Sequence, residues 1–127
     1  MLRVMGGVIA GIAGWIVIVT ALNLALRHYW PDYAAVEKAM AFTLPMMAAR
    51  LSMSALSSLL SGLMAGLVDR RLLAPLISGT ILLLLFLPEH NALWARFPVW
   101  YHLVFLVSLP ALSLVGGDLL PAKHAAV

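Results

Sequence analysis

The chain alternates long apolar runs with short polar interruptions, and the run lengths define its elements. Val4 to Leu26 carries no charge over 23 residues. At ~1.5 Å rise per residue such a helix is about 35 Å long, enough to cross a ~30 Å hydrocarbon core. Three further runs follow at 45–68, 72–87 and 97–117, the second broken only by Arg50. Four spans are predicted. A signal peptide is the rival reading of the first run, but its apolar stretch is too long and no small-x-small cleavage site follows.

Prolines mark the boundaries. Pro31 and Pro88 follow the first and third runs, where a ring without an N–H is expected to stop a helix. Pro45 and Pro98 stand where a first-turn proline is tolerated. Asp69-Arg70-Arg71 leaves room only for a tight antiparallel turn between the second and third spans. The segment 30–42, WPDYAAVEKAMAF, is polar enough for water and has helical spacing, so a short interfacial helix is expected there. Tyr29, Trp30, Tyr33, Trp94, Trp100 and Tyr101 gather at one rim as an aromatic belt.

Composition sharpens this to an all-α, integral-membrane four-helix bundle forming one domain over 1–127. Hydrophobic residues make up 64% of the chain and charged residues 10%, against roughly 45–50% and ~25% in soluble domains. A chain this small cannot bury so much apolar surface in a core of its own, so lipid is the expected solvent. The net charge of +3 rests on eight scattered Lys and Arg, which form no stripe for nucleic acid. The absence of cysteine excludes thiolate catalysis and Cys-ligated metals or clusters. With both termini cytoplasmic, Arg3, Arg70, Arg71 and Lys123 lie inside against Arg27, Lys38 and Arg96 outside, a slight positive-inside bias.

Candidate chemistry centres on Arg50. On a helical wheel Ser54, Ser57, Ser61 and Ala65 fall within roughly −20° to +60° of it, while Leu56, Leu59, Leu60, Leu63 and Leu67 lie opposite. Small and hydroxylic residues favour helix contacts, so Arg50 is expected to face the bundle. His102 lies at a similar depth in the last span and shares a face with Leu106, Leu109, Ser113 and Gly116. Glu89 is the nearest expected counter-charge, and Asn23 closes the first span at the same level. One reading of Arg50, His102, Glu89 and Asn23 is structural: Arg50 pairs with Glu89 and His102 bonds a backbone carbonyl. The other is a wet pocket in which Arg50 anchors an anionic lipid head group or small anion.

Other features weigh less. Gly7, Gly11 and Gly14, continued by Ala21 and Ala25, form a close-packing face for another span or for a second copy of the chain. The serine stripe is expected to pack and bond to carbonyls. His28 and His102 could ligate a haem only as a remote alternative, and no cofactor is expected. No acid lies within a span, unlike the small multidrug exporters this chain matches in size, and no nucleophile, base and orienting acid converge. The chain thus reads as a non-enzymatic accessory, scaffold or complex-subunit protein. The alternative is a bundle that binds or passes a lipid head group or anion.

The run 97–117, FPVWYHLVFLVSLPALSLVGG, resembles the last span of small bacterial four-span membrane proteins of unassigned function, with the pattern P-x-W-Y-H-L-x-F-L. The resemblance implies a bacterial inner-membrane protein with His102 at a recurrent position, and implies no activity.

Overall fold

The computed structural model describes residues 2–69 and 73–119. Helix α1 spans Leu2–Tyr29, α2 Pro31–Val36, α3 Leu44–Val68, α4 Leu73–Ala92 and α5 Val99–Asp118, with a 3-10 turn at Trp94–Arg96 between the last two. The described residues contain no strand. Helices α1, α3, α4 and α5 are each long and apolar enough to cross a membrane, which makes this a multi-pass membrane protein by length and composition. Arg70 and Arg71 of the expected tight turn lie outside the described residues, as does Lys123.

The helices pack as a four-membered bundle in which α3 contacts all three other long helices, while α1 and α5 stand on opposite sides. Close approach is set by residues without side chains. A Cβ at Gly62 would sit 1.8 Å from the Ser113 carbonyl oxygen, and one at Gly116 would sit 1.9 Å from that of Leu59. Backbone therefore meets backbone where α3 crosses α5. Gly7 and Gly11 do the same for α1, seating it against Ala65 of α3 and against Ala74 and Ser78 of α4. The glycine face of α1 thus packs within the chain. Ala21 and Ala25 do not continue it, since both are exposed.

The serines behave mostly as expected. Ser61 Oγ donates to the Gly11 carbonyl at 2.6 Å and Ser113 Oγ to that of Pro75 at 2.7 Å, each tying two helices. Ser57 bonds within α3, to the Met53 carbonyl. The opposed leucine stripe of α3 is narrower than the wheel suggested. Leu56 and Leu67 are exposed, but Leu59, Leu60 and Leu63 are half-buried, because α3 is covered by α1 on one side and α5 on the other.

Two boundaries differ from expectation. Helix α4 runs through Pro88 to Ala92. A proline deletes one hydrogen bond and crowds one carbonyl; here the last turn is tied to α5 by the contact of His90 with His102. Pro31 opens α2 in its first turn rather than only ending α1. Thr43 caps α3 as its oxygens accept from the Met46 and Met47 amides, with Pro45 in the first turn.

Candidate functional site

The membrane half of α1 that lacks glycine determines where the site lies. All five buried residues of α1, namely Val4, Gly7, Gly11, Gly14 and Trp15, belong to its first half. Beyond Trp15 the inward positions carry Val19, Asn23 and Leu26, which keep the backbones apart. A cavity of about 770 Å³ opens there, between the second half of α1 and the first half of α3. The α2–α3 segment roofs it with Ala34, Glu37, Lys38 and Met40, and Phe86 and Phe105 close it from behind. Its volume falls within the ~300–1,000 Å³ of sites that hold one small molecule.

Arg50 stands in its wall, half-buried, with its guanidinium held on neutral partners. Nη1 donates to the Tyr33 hydroxyl at 2.9 Å, and Nε donates to the Tyr101 hydroxyl at 3.1 Å. Cζ lies 4.6 Å from the centre of the Phe42 ring, a cation–π contact. Tyr33 in turn stacks on Phe42, and Tyr101 on Phe97. Burial raises the Tyr33 phenol above its ordinary value, against the opposing pull of Arg50, so that hydroxyl stays protonated at neutral pH. Its proton goes to Asn23 Oδ1 at 2.8 Å.

Asn23 passes the network to Glu37, donating through Nδ2 to Oε2 at 2.9 Å. Glu37 is already taken by Arg27, which grips both carboxylate oxygens through Nε and Nη2. The Arg27 hydrogen bond is the main cause that holds the Glu37 carboxyl below its ordinary range; partial burial opposes it, and Asn23 assists. Among the described residues no carboxylate comes within ion-pair distance of Arg50. The cavity wall therefore carries Arg27, Lys38 and Arg50 against the single carboxylate of Glu37.

A second polar group lies one turn below Arg50. Ser54 is buried on the cavity wall, and its hydroxyl has no hydrogen-bond partner among the described residues. Ser58, by contrast, donates to the Ser54 carbonyl at 2.8 Å and accepts from Trp15 Nε1 at 3.1 Å. Trp15, 4% exposed, forms the inner end of the cavity.

The four residues expected at one depth divide between two places. Asn23 and Arg50 join through Tyr33. Glu89 is exposed and makes no ion pair with Arg50, so the expected counter-charge is absent there. It and Arg50 both border a small cavity of about 40 Å³ without coming within ion-pair distance. His102 is fully buried and belongs to a separate cluster. Its Nδ1 stands 2.7 Å from His90 Nδ1, its Nε2 stands 3.2 Å from the Trp94 carbonyl, and its ring stacks on Trp94. A carbonyl only accepts, so His102 Nε2 donates and neutral His102 Nδ1 accepts from His90 Nδ1–H. His28, proposed as its haem partner, is exposed on α1.

The rim aromatics also divide. Tyr29, Trp94 and Trp100 face outward as a belt, but Tyr33 and Tyr101 are buried against Arg50. A phenol has an apolar ring and a polar tip, so rim position alone suits either role. One signal did mark Tyr101. With Phe105 and Leu109 it forms an i, i+4, i+8 row, and all three are buried. No comparable spacing marks Glu37 as the partner of Arg27. No protein-family model, curated protein or solved structure matches the chain.

Proposed function

We propose that this protein is a ligand-binding membrane bundle that receives an anionic group on Arg50. One observation carries the reading. Arg50 borders a cavity of about 770 Å³ while its bonds go to two phenols, with no carboxylate at ion-pair distance among the described residues. A guanidinium inside a span costs at least ~2.5–3.5 kcal/mol near the helix centre and ordinarily takes an anionic or carbonyl partner. Two of its sides are fixed, and a planar fork with unused N–H groups suits a carboxylate or phosphate. Glu37 does not compete, because Arg27 holds it.

The test is native mass spectrometry of the detergent-purified protein beside Arg50→Gln. An anionic adduct on the parent that is lost from a folded variant supports binding. Bare protein in both, with the variant less stable or differently assembled, would make Arg50 a structural pin and return the chain to an accessory or scaffold role. The bilayer we assign is the bacterial inner membrane, with both termini cytoplasmic, on the resemblance of the last span and the basic-residue bias. The chain contains no cysteine. Ala35→Cys on the exposed face of α2 is therefore the sole thiol in that variant, and an impermeant maleimide should reach it from the periplasmic side.

A further inference from the structure

The cavity has a polar end and an apolar end, and they lie at different depths. Arg27, Glu37, Lys38 and Arg50 line the end under α2. Trp15, Val19, Leu24, Met53, Phe86 and Phe105 line the rest. Along α1 the lining runs from Arg27 down to Trp15, about 18 Å at the helical rise. A hydrated inorganic anion would fill only the upper end and leave the aromatic end without contacts.

The side of the cavity is also open at membrane depth. Thr20 and Leu24 both line it and are both exposed on α1, and Thr20 lies two turns below Arg27, within the span. The route inward therefore passes between helices from the acyl-chain region, and Trp15, shielded from the outer surface, stands at its end. Resting on the anion-binding reading above, we infer that the ligand is a single-chain anionic amphiphile, a fatty-acid-like molecule taken laterally from the bilayer. Its head group bonds Arg50 and its chain lies between Val19, Leu24, Phe86 and Phe105 toward Trp15. The cavity has the volume of one small molecule, which favours one chain over the two of a phospholipid. Ser54 offers its unpaired hydroxyl to the same molecule one turn below the head group.

Trp15 provides the readout. The chain has four tryptophans, so Trp30→Phe, Trp94→Phe and Trp100→Phe together leave Trp15 as sole emitter. In nanodiscs of neutral lipid, a fatty acid brominated at mid-chain should quench Trp15 saturably. Phosphatidylcholine brominated at the same depth should not, because bulk lipid does not reach a residue 4% exposed. Arg50→Gln should raise the half-quenching concentration by about tenfold or more, through loss of a charged hydrogen bond. Thr20→Phe, which narrows the route from an exposed position, should weaken quenching with Arg50 intact. Circular dichroism confirms that each variant is folded.

Calorimetry with inorganic phosphate and with acetate forms the other arm. Arg50-dependent binding of either anion without Trp15 quenching by the fatty acid would overturn the single-chain inference and leave the anion reading standing. Absence of both signals would overturn both. Quenching that a brominated fatty alcohol reproduces, and that Arg50→Gln leaves unchanged, would mean an apolar slot without anion recognition and would likewise overturn both.

Discussion

Arg50 shows how a charge is kept within a span without an opposite charge. Two phenol oxygens accept from it and an aromatic face covers it, so each partner contributes separately. Tyr33→Phe should lower stability by ~1.5–3 kcal/mol, the range for a hydrogen bond to a charged group, in thermal unfolding in detergent. The loss should be larger than for Tyr101→Phe, since the Tyr33 hydroxyl also bonds Asn23. At Glu37 the prediction concerns pH. Its folded-state carboxyl is held below the ordinary value, so its contribution is complete above about pH 4.5 and is lost as pH falls through the lower folded value. Unfolding temperature followed from about pH 6 to pH 3 should therefore drop less steeply in Glu37→Gln than in the parent. The histidine pair gives a third case. His90→Phe removes the donor to buried His102 and should cost ~1–3 kcal/mol, whereas His90→Asn, which retains an N–H, should recover part of it.

At the scale of elements, the distribution of small residues sets where helices touch and where they part. Gly62 and Gly116 bring α3 and α5 to backbone contact. Gly62→Ala should destabilise by at least ~1–3 kcal/mol, because the neighbour it meets is a carbonyl that cannot rotate away. An exposed Ala35→Ser control should be neutral in the same denaturation experiment. The packing glycines of α1, spaced four and then three residues apart, stop at Gly14, and the cavity begins at Trp15. Pro88 tests the opposite effect. Its ring is exposed inside α4, so Pro88→Ala restores a backbone hydrogen bond without removing packing. Stability should rise by no more than the ~3 kcal/mol separating the two residues in a helix interior, seen as a higher unfolding temperature.

For the whole molecule, the α2 segment closes the bundle at one end. It is fastened at Arg27–Glu37 and at Arg96, whose Nη1 donates to the Ala39 carbonyl at 2.9 Å. Immediately after them Met40 adopts φ 55°, a left-handed conformation unusual for a residue with a side chain. Such a residue persists where its surroundings over-determine it. Glu37→Ala should therefore speed amide hydrogen exchange across 31–41 more than within α3. Arg27→Glu combined with Glu37→Arg should restore much of the protection that either change alone removes.

Run lengths, composition and the small-residue faces determined the four spans, their inward sides and the interior position of Arg50 from sequence alone. Each of these is a local or periodic property, and lipid leaves a long apolar helix few alternatives. Tertiary structure alone decided the partners. Arg50 and His102 have similar depth in the sequence reading, yet they belong to different clusters. Depth orders residues along the membrane normal and leaves their azimuth free. Tyr33 reaches Arg50 because α2 turns back over the bundle, and Glu37 reaches Arg27 across the same turn. The cavity is less legible still. It exists where packing stops, which depends on the separation of helix axes rather than on any one residue's character.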